Sequence, residues 1–289
     1  MEKRKILIQL DTDAHASAFD RVVAIDAGVE ELFSYANVKP EQVAGLVHGA
    51  IFTRHPRDLK RTAIFVGGSD VAAAEVLVAK ALEAMIPAFG LRVSILVDAN
   101  GANTTAAAAV RVAAKHIGLA GTRALVLGGT GPVGQRVGLL LALQGAEVRL
   151  ASRKLDRAGV AIEAIRARVP NAKITPVPVA RDTDLAGATE GCQLIIAAGA
   201  AGVVLLPASA RAACKDLKVT IDLNAVPPLG VEGVGVTDAA KEYGGVVCYG
   251  AIGVGGTKMK LHRAAVAKLF DSNDQVMDAE QVYALGEGM

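Results

Sequence analysis

The stretch from Arg123 to Lys154, RALVLGGTGPVGQRVGLLLALQGAEVRLASRK, limits the fold more than any other part of the chain. An apolar run at residues 124–127 leads into Gly129-Thr130-Gly131-Pro132-Val133-Gly134. A helix-like segment then continues to Gln144, Gly145 stops it, and a second strand-like run covers residues 147–151. Strand, glycine turn, helix and strand at this spacing predict a dinucleotide-binding unit. Gly129 is expected to make the tight turn, Gly131 to admit a pyrophosphate, and Gly134 to let helix and sheet pack closely. Phosphates would sit at the positive end of the helix beginning near Pro132 or Val133. The competing reading is a tight structural turn in an ordinary α/β domain.

An acidic residue at the end of the second strand would hold an adenosine ribose through its 2′-hydroxyl. Ser152-Arg153-Lys154 stands there instead. A hydroxyl and two cations suit a 2′-phosphate, so NADP is favoured over NAD. The plainer alternative is a solvated turn before a helix starting near Asp156.

The 289 residues, 52% hydrophobic and 21% charged, suffice for two α/β domains with real cores. Aromatics make up only 3% and Trp is absent, leaving little for a base-stacking platform. A formal charge of +2 with no basic stripe argues against nucleic acid. Cys192, Cys214 and Cys248 show no metal-like spacing, so structural thiols in a reducing, cytoplasmic compartment are expected. The five histidines form no ligand motif, and no metal is implied. The apolar part of MEKRKILIQL is too short for a signal peptide. Gly199, Gly202 and Pro207 break the longest greasy stretch, so no membrane span is expected.

Along the chain, residues 5–10 read as a buried strand ending at Asp11-Thr12-Asp13. Those carboxylates either present ligand groups at a strand's carboxyl end or cap the next helix, where Asp13 or Ser17 would serve. Helices are expected at 19–27, from Pro40 to near Gly49 and at 71–85, with strands at 62–66 and 91–97. The island Asp98-Ala99-Asn100-Gly101-Ala102-Asn103-Thr104-Thr105 precedes a helix at 106–116, with Asn103 or Thr104 as its N-cap. It carries more hydrogen-bonding groups than one cap can use, which predicts ligand contacts from Asn100, Asn103 and Thr104. The second sheet should add strands at 173–179, 192–198 and 219–223. Small residues from Ala198 to Gly202 would let a nicotinamide ribose approach the backbone. Asn224 closes the last of these strands, and Pro227-Pro228 would force an extended exit. The Gly-rich run at 249–256 reads as a lid or a crossover, followed by helices at 257–270 and 278–285. The expected architecture is α/β with two αβα domains. Residues 1–119 form the first and 120–250 a Rossmann-type second, while helices in 251–289 return to the first.

There is no nucleophile elbow, no Walker pattern and no Tyr-x-x-x-Lys pair. A dinucleotide site without an obvious acid–base pair suits hydride transfer that needs little proton transfer. Oxidation of an amine-activated methylene carbon fits, because nitrogen lone pairs drive hydride departure.

Six segments carry a resemblance: QLDTD at 9–13, TAIFVGG at 62–68, NGANTTAAA at 100–108, GTGPVG at 129–134, NAVPPLG at 224–230 and KMKLHR at 258–263. In this order they resemble the bacterial NADP-dependent methylene-tetrahydromethanopterin dehydrogenases, over essentially the whole chain. The resemblance implies a reduced pterin between two domains and its reversible oxidation from methylene to methenyl in one-carbon metabolism of the methylotrophic kind. The tetrahydrofolate analogue would also be accepted. It links a lysine near 258–260 to catalysis, a role placed on Lys258 with Lys260 as a substrate contact. The methenyl product is cationic, so Lys258 either sheds its charge or touches a ring oxygen away from the reacting carbon. Asp11 or Asp13 would be the better partner for the developing cation. A homo-oligomer is expected. The segment HPRDLK at 55–60 matches no family motif. Two other readings compete. A quinate- or shikimate-type NADP oxidoreductase would need a lysine–aspartate pair, for which Lys60 with Asp98 is the nearest candidate. A non-enzymatic NADP-binding regulatory protein would leave Asp11, Asn100 and Lys258 idle.

Overall fold

A computed structural model describes residues 3–288. The chain forms two compact units, one holding the residues up to Thr104 and those from Met259 onward, the other Thr105–Lys258.

The first unit begins with β1 (Ile6–Asp11), α1 (Ala18–Asp26), β2 (Glu31–Tyr35) and α2 (Pro40–Ile51). A 3-10 turn at Pro56–Arg61 leads to β3 (Thr62–Gly67), α3 (Val71–Glu83) and β4 (Ser94–Val97). The chain enters the second unit within α4 (Ala102–Ala114). That unit holds β5 (Arg123–Leu127), α5 (Pro132–Leu143), β6 (Glu147–Ser152), α6 (Leu155–Arg168) and β7 (Ile174–Pro178). It continues with α7 (Leu185–Thr189), β8 (Leu194–Ala197), α8 (Ala208–Ala213), β9 (Val219–Asp222), β10 (Lys241–Tyr243) and β11 (Val246–Tyr249). The chain returns within α9 (Ala251–Lys268) and ends with β12 (Val276–Met277) and α10 (Ala279–Leu285).

The first sheet runs β12-β4-β3-β1-β2, parallel throughout. The second runs β10-β11-β9-β8-β5-β6-β7, parallel except for β10. Helical crossovers cover both faces of such sheets, so their inner strands read as unbroken apolar runs. LIIA and the AIFV of β3 are of that kind, while Gln9 and Asp11 interrupt β1, and β3, β4, β8 and β9 are buried along their whole lengths. On one face of the first sheet, Leu10, Ile64 and Ile95 pack with Val43, Val47 and Leu77 of the covering helices. In each sheet the order reverses beside the first strand, between β1 and β3 and between β5 and β8. Loops at the carboxyl ends of these strands are where α/β sheets present ligand-binding groups.

Four sequence expectations change. An extra edge strand, β2, precedes the strand at 62. The strand expected at 91–97 begins at Ser94, because Leu91 is tied back to Ile86 in an antiparallel bridge. The helix expected from Ala106 starts at Ala102. The run after Tyr249 is not a loop but the first two turns of α9, the helix within which the chain crosses back to the first unit.

Candidate functional site

In the second unit, β5 ends in a turn whose left-handed residue is Gly128 (φ 71°), not Gly129. A Cβ on Gly128 would stand 2.5 Å from the Gly199 Cα, where the β5 and β8 loops meet, and one on Gly199 would stand 2.6 Å from a Leu205 methyl carbon. Gly129 is glycine for another reason: its Cβ would fall 2.6 Å from two Leu150 side-chain carbons. Gly134 presses on the turn itself, since a Cβ there would collide with the Gly128 carbonyl oxygen. Gly131 differs from all of these. A Cβ there would meet only the Gly128 and Ala198 carbonyl oxygens, at 3.4 and 3.8 Å, so packing within the protein does not require a glycine. Gly131 is the N-cap of α5 and Pro132 its first residue, as the sequence predicts. The first turn of a helix leaves N–H groups without intrahelical acceptors, and the helix dipole favours an anion there. An open glycine beside such a terminus fits a diphosphate. The Gln135 amide donates to the Thr130 carbonyl at 2.8 Å, closing the loop from behind, while Val133 is half-buried.

At the end of β6 the Ser152 side chain is buried and accepts from the Lys154 N–H at 3.1 Å. Arg153 and Lys154 are exposed beyond it. Ser152 therefore shapes the turn, and the two cations are left to face solvent or ligand. At the end of β8, the Ala198 N–H bonds the Leu127 carbonyl at 2.9 Å, tying the two loops together. Asn224 is engaged on every side: its N–H reaches Asp222 (3.0 Å), its amide donates to Pro228 O (3.2 Å), and its Oδ1 accepts from Val226 N (3.0 Å). The Pro227–Pro228 peptide is cis, and the chain bends at residues 226–228 instead of leaving in the extended form expected. Burial pushes the Asp222 carboxyl up, against the backbone N–H groups of Asn224, Val231 and Gly230 that favour its charge.

In the first unit, both carboxylates at the end of β1 are committed to backbone. Asp11 is fully buried and accepts from Asp13 N (2.9 Å) and Ser17 N (3.0 Å). Asp13 accepts from the Ser69 N–H and hydroxyl at 3.0 and 2.8 Å, clamping the β1 loop to the β3 loop. Ser17, not Asp13, caps α1. Beneath the clamp, a Cβ on Gly68 (φ 112°) would collide with the Thr12 hydroxyl.

The polar island resolves differently from expectation. Asp98 caps α4: its Oδ1 accepts from the Asn103 and Thr104 N–H groups (2.9 and 3.0 Å), and its Oδ2 from the Thr104 hydroxyl (2.6 Å). The Asn103 amide donates to Val97 O at 2.6 Å. Asn103 and Thr104 are thus buried inside the turn, while Asn100 is exposed with φ 54° and its N–H on Gly68 O at 2.7 Å. An Asn tolerates that left-handed conformation better than most residues. The proposed Lys60–Asp98 pair does not form. Lys60 lies just before β3 at the amino end of the sheet, and Asp98 just after β4 at its carboxyl end. A strand of this length separates them by roughly 15–20 Å.

Lys258 and Lys260 both lie on α9, two positions apart, and so face different sides of the helix. Lys258 is half-buried, with Val254 and His262, both buried, one turn to either side; Lys260 is exposed. Sequence reasoning missed Gly128, and it gave Asp98 a ligand or pairing role rather than the cap of α4. A signal existed for the first, the doubled glycine after LVL, but none for the meeting of Gly128 with Gly199.

A family model described as methylene-tetrahydromethanopterin dehydrogenase, N-terminal, matches residues 18–100. The bifunctional protein MdtA of Methylorubrum extorquens AM1 is 45% identical over 99% of this chain and 99% of its own. The NAD(P)-dependent methylenetetrahydromethanopterin dehydrogenase of the same organism is 31% identical over 98% of this chain and 97% of its own. Among solved structures, ligand-free 5-ketofructose reductase of a Gluconobacter strain shares the fold, with a TM-score of 0.55 at 14% identity, 99% of this chain and 98% of that one being covered. The chain belongs to the methylene-tetrahydromethanopterin dehydrogenase family.

Proposed function

We infer that the chain is an NADP-linked oxidoreductase that transfers hydride reversibly between methylene-tetrahydromethanopterin and the nicotinamide, giving the methenyl form in one-carbon metabolism. The observation that carries this is end-to-end similarity to a dehydrogenase of that name, together with a glycine turn whose Gly131 is not needed for packing. The second unit holds the cofactor and the first contributes to pterin binding. No helix among the described residues is long and apolar enough to cross a membrane.

The cofactor, when bound, supplies the hydride acceptor. The Gly131–Val133 end of α5 holds its diphosphate, with Thr130 and Gly129 shaping the loop. Arg153 and Lys154 pair with the 2′-phosphate, and Ser152 fixes their turn. Ala198 and Asn224 act through their loops, since both have backbone or side-chain groups engaged with protein. Hydride loss turns the pterin methylene into a cation without releasing a proton from that carbon, so no stoichiometric base is required. Positioning is the main task. Lys258, on the partly buried side of α9, orients the pterin, while exposed Lys260 is the weaker candidate. Asp11 and Asp13 hold the β1 and β3 loops, and their charge favours the cationic product. Asn100 is the exposed polar side chain of the island and the best candidate there for direct contact. Asn103 and Thr104 support it from within.

The test is absorbance at 340 nm after adding methylene-tetrahydromethanopterin, methylene-tetrahydrofolate or shikimate separately to protein and NADP. A rise with a pterin is expected. Silence with both pterins would overturn the reading, and a rise with shikimate alone would put the chain in another substrate class.

A further inference from the structure

The loops that follow β8 and β9 carry no charge. Residues 198–206 read AGAAGVVLL and residues 223–231 read LNAVPPLGV, with no Asp, Glu, Lys, Arg or His in either. Asn224 is their one polar side chain, and both ends of its amide are bonded to backbone within its own loop. Two valines are nevertheless exposed, Val203 at 47% and Val226 at 53%. They belong to one surface. A Cβ on Gly202 would stand 3.8 Å from Pro227 O, so the residues beside the two valines meet across the loops. The Leu205 and Leu206 N–H groups both donate to Gly230 O, at 2.8 and 3.0 Å. The Val226 N–H donates to Asn224 Oδ1 at 3.0 Å. The valines therefore stand on a braced support.

The same loops border the phosphate turn, since a Cβ on Gly131 would lie 3.8 Å from Ala198 O. In the sheet, β6 with its cationic corner lies on one side of β5, and β8 and β9 lie on the other. A dinucleotide whose diphosphate sits at the switch point beside β5 spreads its halves over those two sides. With the 2′-phosphate half at Arg153 and Lys154, the nicotinamide half falls on the loops of β8 and β9. We propose that Val203 and Val226 form an apolar platform under the nicotinamide ring and weaken the hold on its oxidised form. That role rests on the NADP-linked dehydrogenase reading and gives the site a part in driving the reaction. Hydride transfer breaks a C–H bond of the pterin methylene and forms one at nicotinamide C4, carrying two electrons and one proton together. The nicotinamide ring passes from cation to neutral, the positive charge goes to the methenyl product, and no proton is released. An apolar support costs the neutral ring little and the cationic ring much. It therefore favours the reduced cofactor and raises the hydride affinity of the bound oxidised ring. A carboxylate in the same place would do the reverse.

The test is calorimetric titration of the full chain with NADP+, NADPH and 2′-phospho-ADP-ribose, which has the phosphates but no nicotinamide. The native chain should bind NADPH more tightly than NADP+. Val226→Asp puts a carboxylate beside the ring and should cut that preference about tenfold, a size that solvent-screened charges at close range can supply. Val203→Asp should act in the same direction from the other loop, and it carries the test if Val226→Asp misfolds. Affinity for 2′-phospho-ADP-ribose should stay close to native in both variants, since that ligand has no ring for the carboxylate to meet. Loss of all three ligands in step would mark a merely structural role and overturn the proposal. An unchanged ratio of NADP+ to NADPH affinity in both variants would overturn it too, while leaving the dehydrogenase reading standing. If the ratio holds but the KM for the pterin rises, the valines meet the pterin instead. A native chain that binds none of the three ligands removes the dehydrogenase reading, and the platform with it.

Discussion

Arg153 and Lys258 carry the sharpest claims, and each can be separated from a structural role by a control built into the chemistry. Arg153 is exposed and lies one residue past the buried Ser152. Only NADP carries a 2′-phosphate, so Arg153→Gln should weaken NADP about tenfold and leave NAD nearly unchanged, solvent screening keeping the contact at the low end of its range. Equal loss for both cofactors, measured by direct titration, would make Arg153 a turn residue. For Lys258, Lys258→Ala should lower kcat/KM about 100-fold, roughly 2.7 kcal/mol of transition-state stabilisation. NADP binding without pterin should stay as it was. Lys260→Ala should lose far less, because the two side chains leave α9 on different sides. If Lys260→Ala proves the more damaging, the assignment passes to it. Sequence alone reached the region but could not separate the two, since spacing says nothing of which side of a helix is buried.

Elements with their own periodicity or punctuation were legible, and those that depend on partners were not. The unit from Arg123 to Ser152 has an apolar strand, a glycine turn and a Gly145 stop with φ 77°, and it folds as its sequence reads. β2 is short, half-exposed and amphipathic on neither template, so only its pairing with β1 defines it. The start of α9 misled because six of its residues and the one before, GAIGVGG, include four glycines, which normally mark loops. The structure explains two of them: a Cβ on Gly250 would collide with Gly235 O, and one on Gly253 with Asp238 O. Close packing, not flexibility, selects glycine there. Gly256 is exposed and its Cβ position is open, so Gly256→Ala should raise stability by about 0.5–1 kcal/mol and keep kcat within about twofold. A clear fall in turnover on a well-folded variant would restore the lid. The loop that packs on these glycines depends on Asp238. Burial raises its carboxyl, but the Gly235 N–H, the Tyr243 hydroxyl and Lys241 outweigh this and hold it below the usual range. A carboxylate depressed in the native state stabilises fully above its unfolded value near ~3.9, and loses that contribution as pH falls through the native one. Asp238→Asn should therefore lower stability at pH 7 and flatten the acid limb of a denaturation series; an unchanged limb would remove Asp238 as its cause.

The described residues form two sheets, each with its own buried cluster, and two helices, α4 and α9, belong partly to each unit. The glycine turn, the Ser152-Arg153-Lys154 corner and the Ala198 loop all lie in Thr105–Lys258. A ligand that binds only the native state stabilises it by RT ln(1 + [L]/Kd), about 2.7 kcal/mol at a hundredfold excess over Kd. NADP at that concentration should slow amide exchange most strongly along β5, the first turns of α5 and the end of β6. The N–H groups of Gly131–Val133 should lead, because they gain an acceptor directly. β3 and β4 lie in the other unit, so their exchange should change far less. Exchange read by mass spectrometry with and without NADP decides this, and NAD provides the internal comparison. It should protect the α5 turn while leaving the peptide over Arg153 and Lys154 close to its free rate. Uniform protection of both sheets would show that the chain opens as one cooperative body. Protection of Arg153 and Lys154 by NAD equal to that by NADP would remove the 2′-phosphate from its assigned corner.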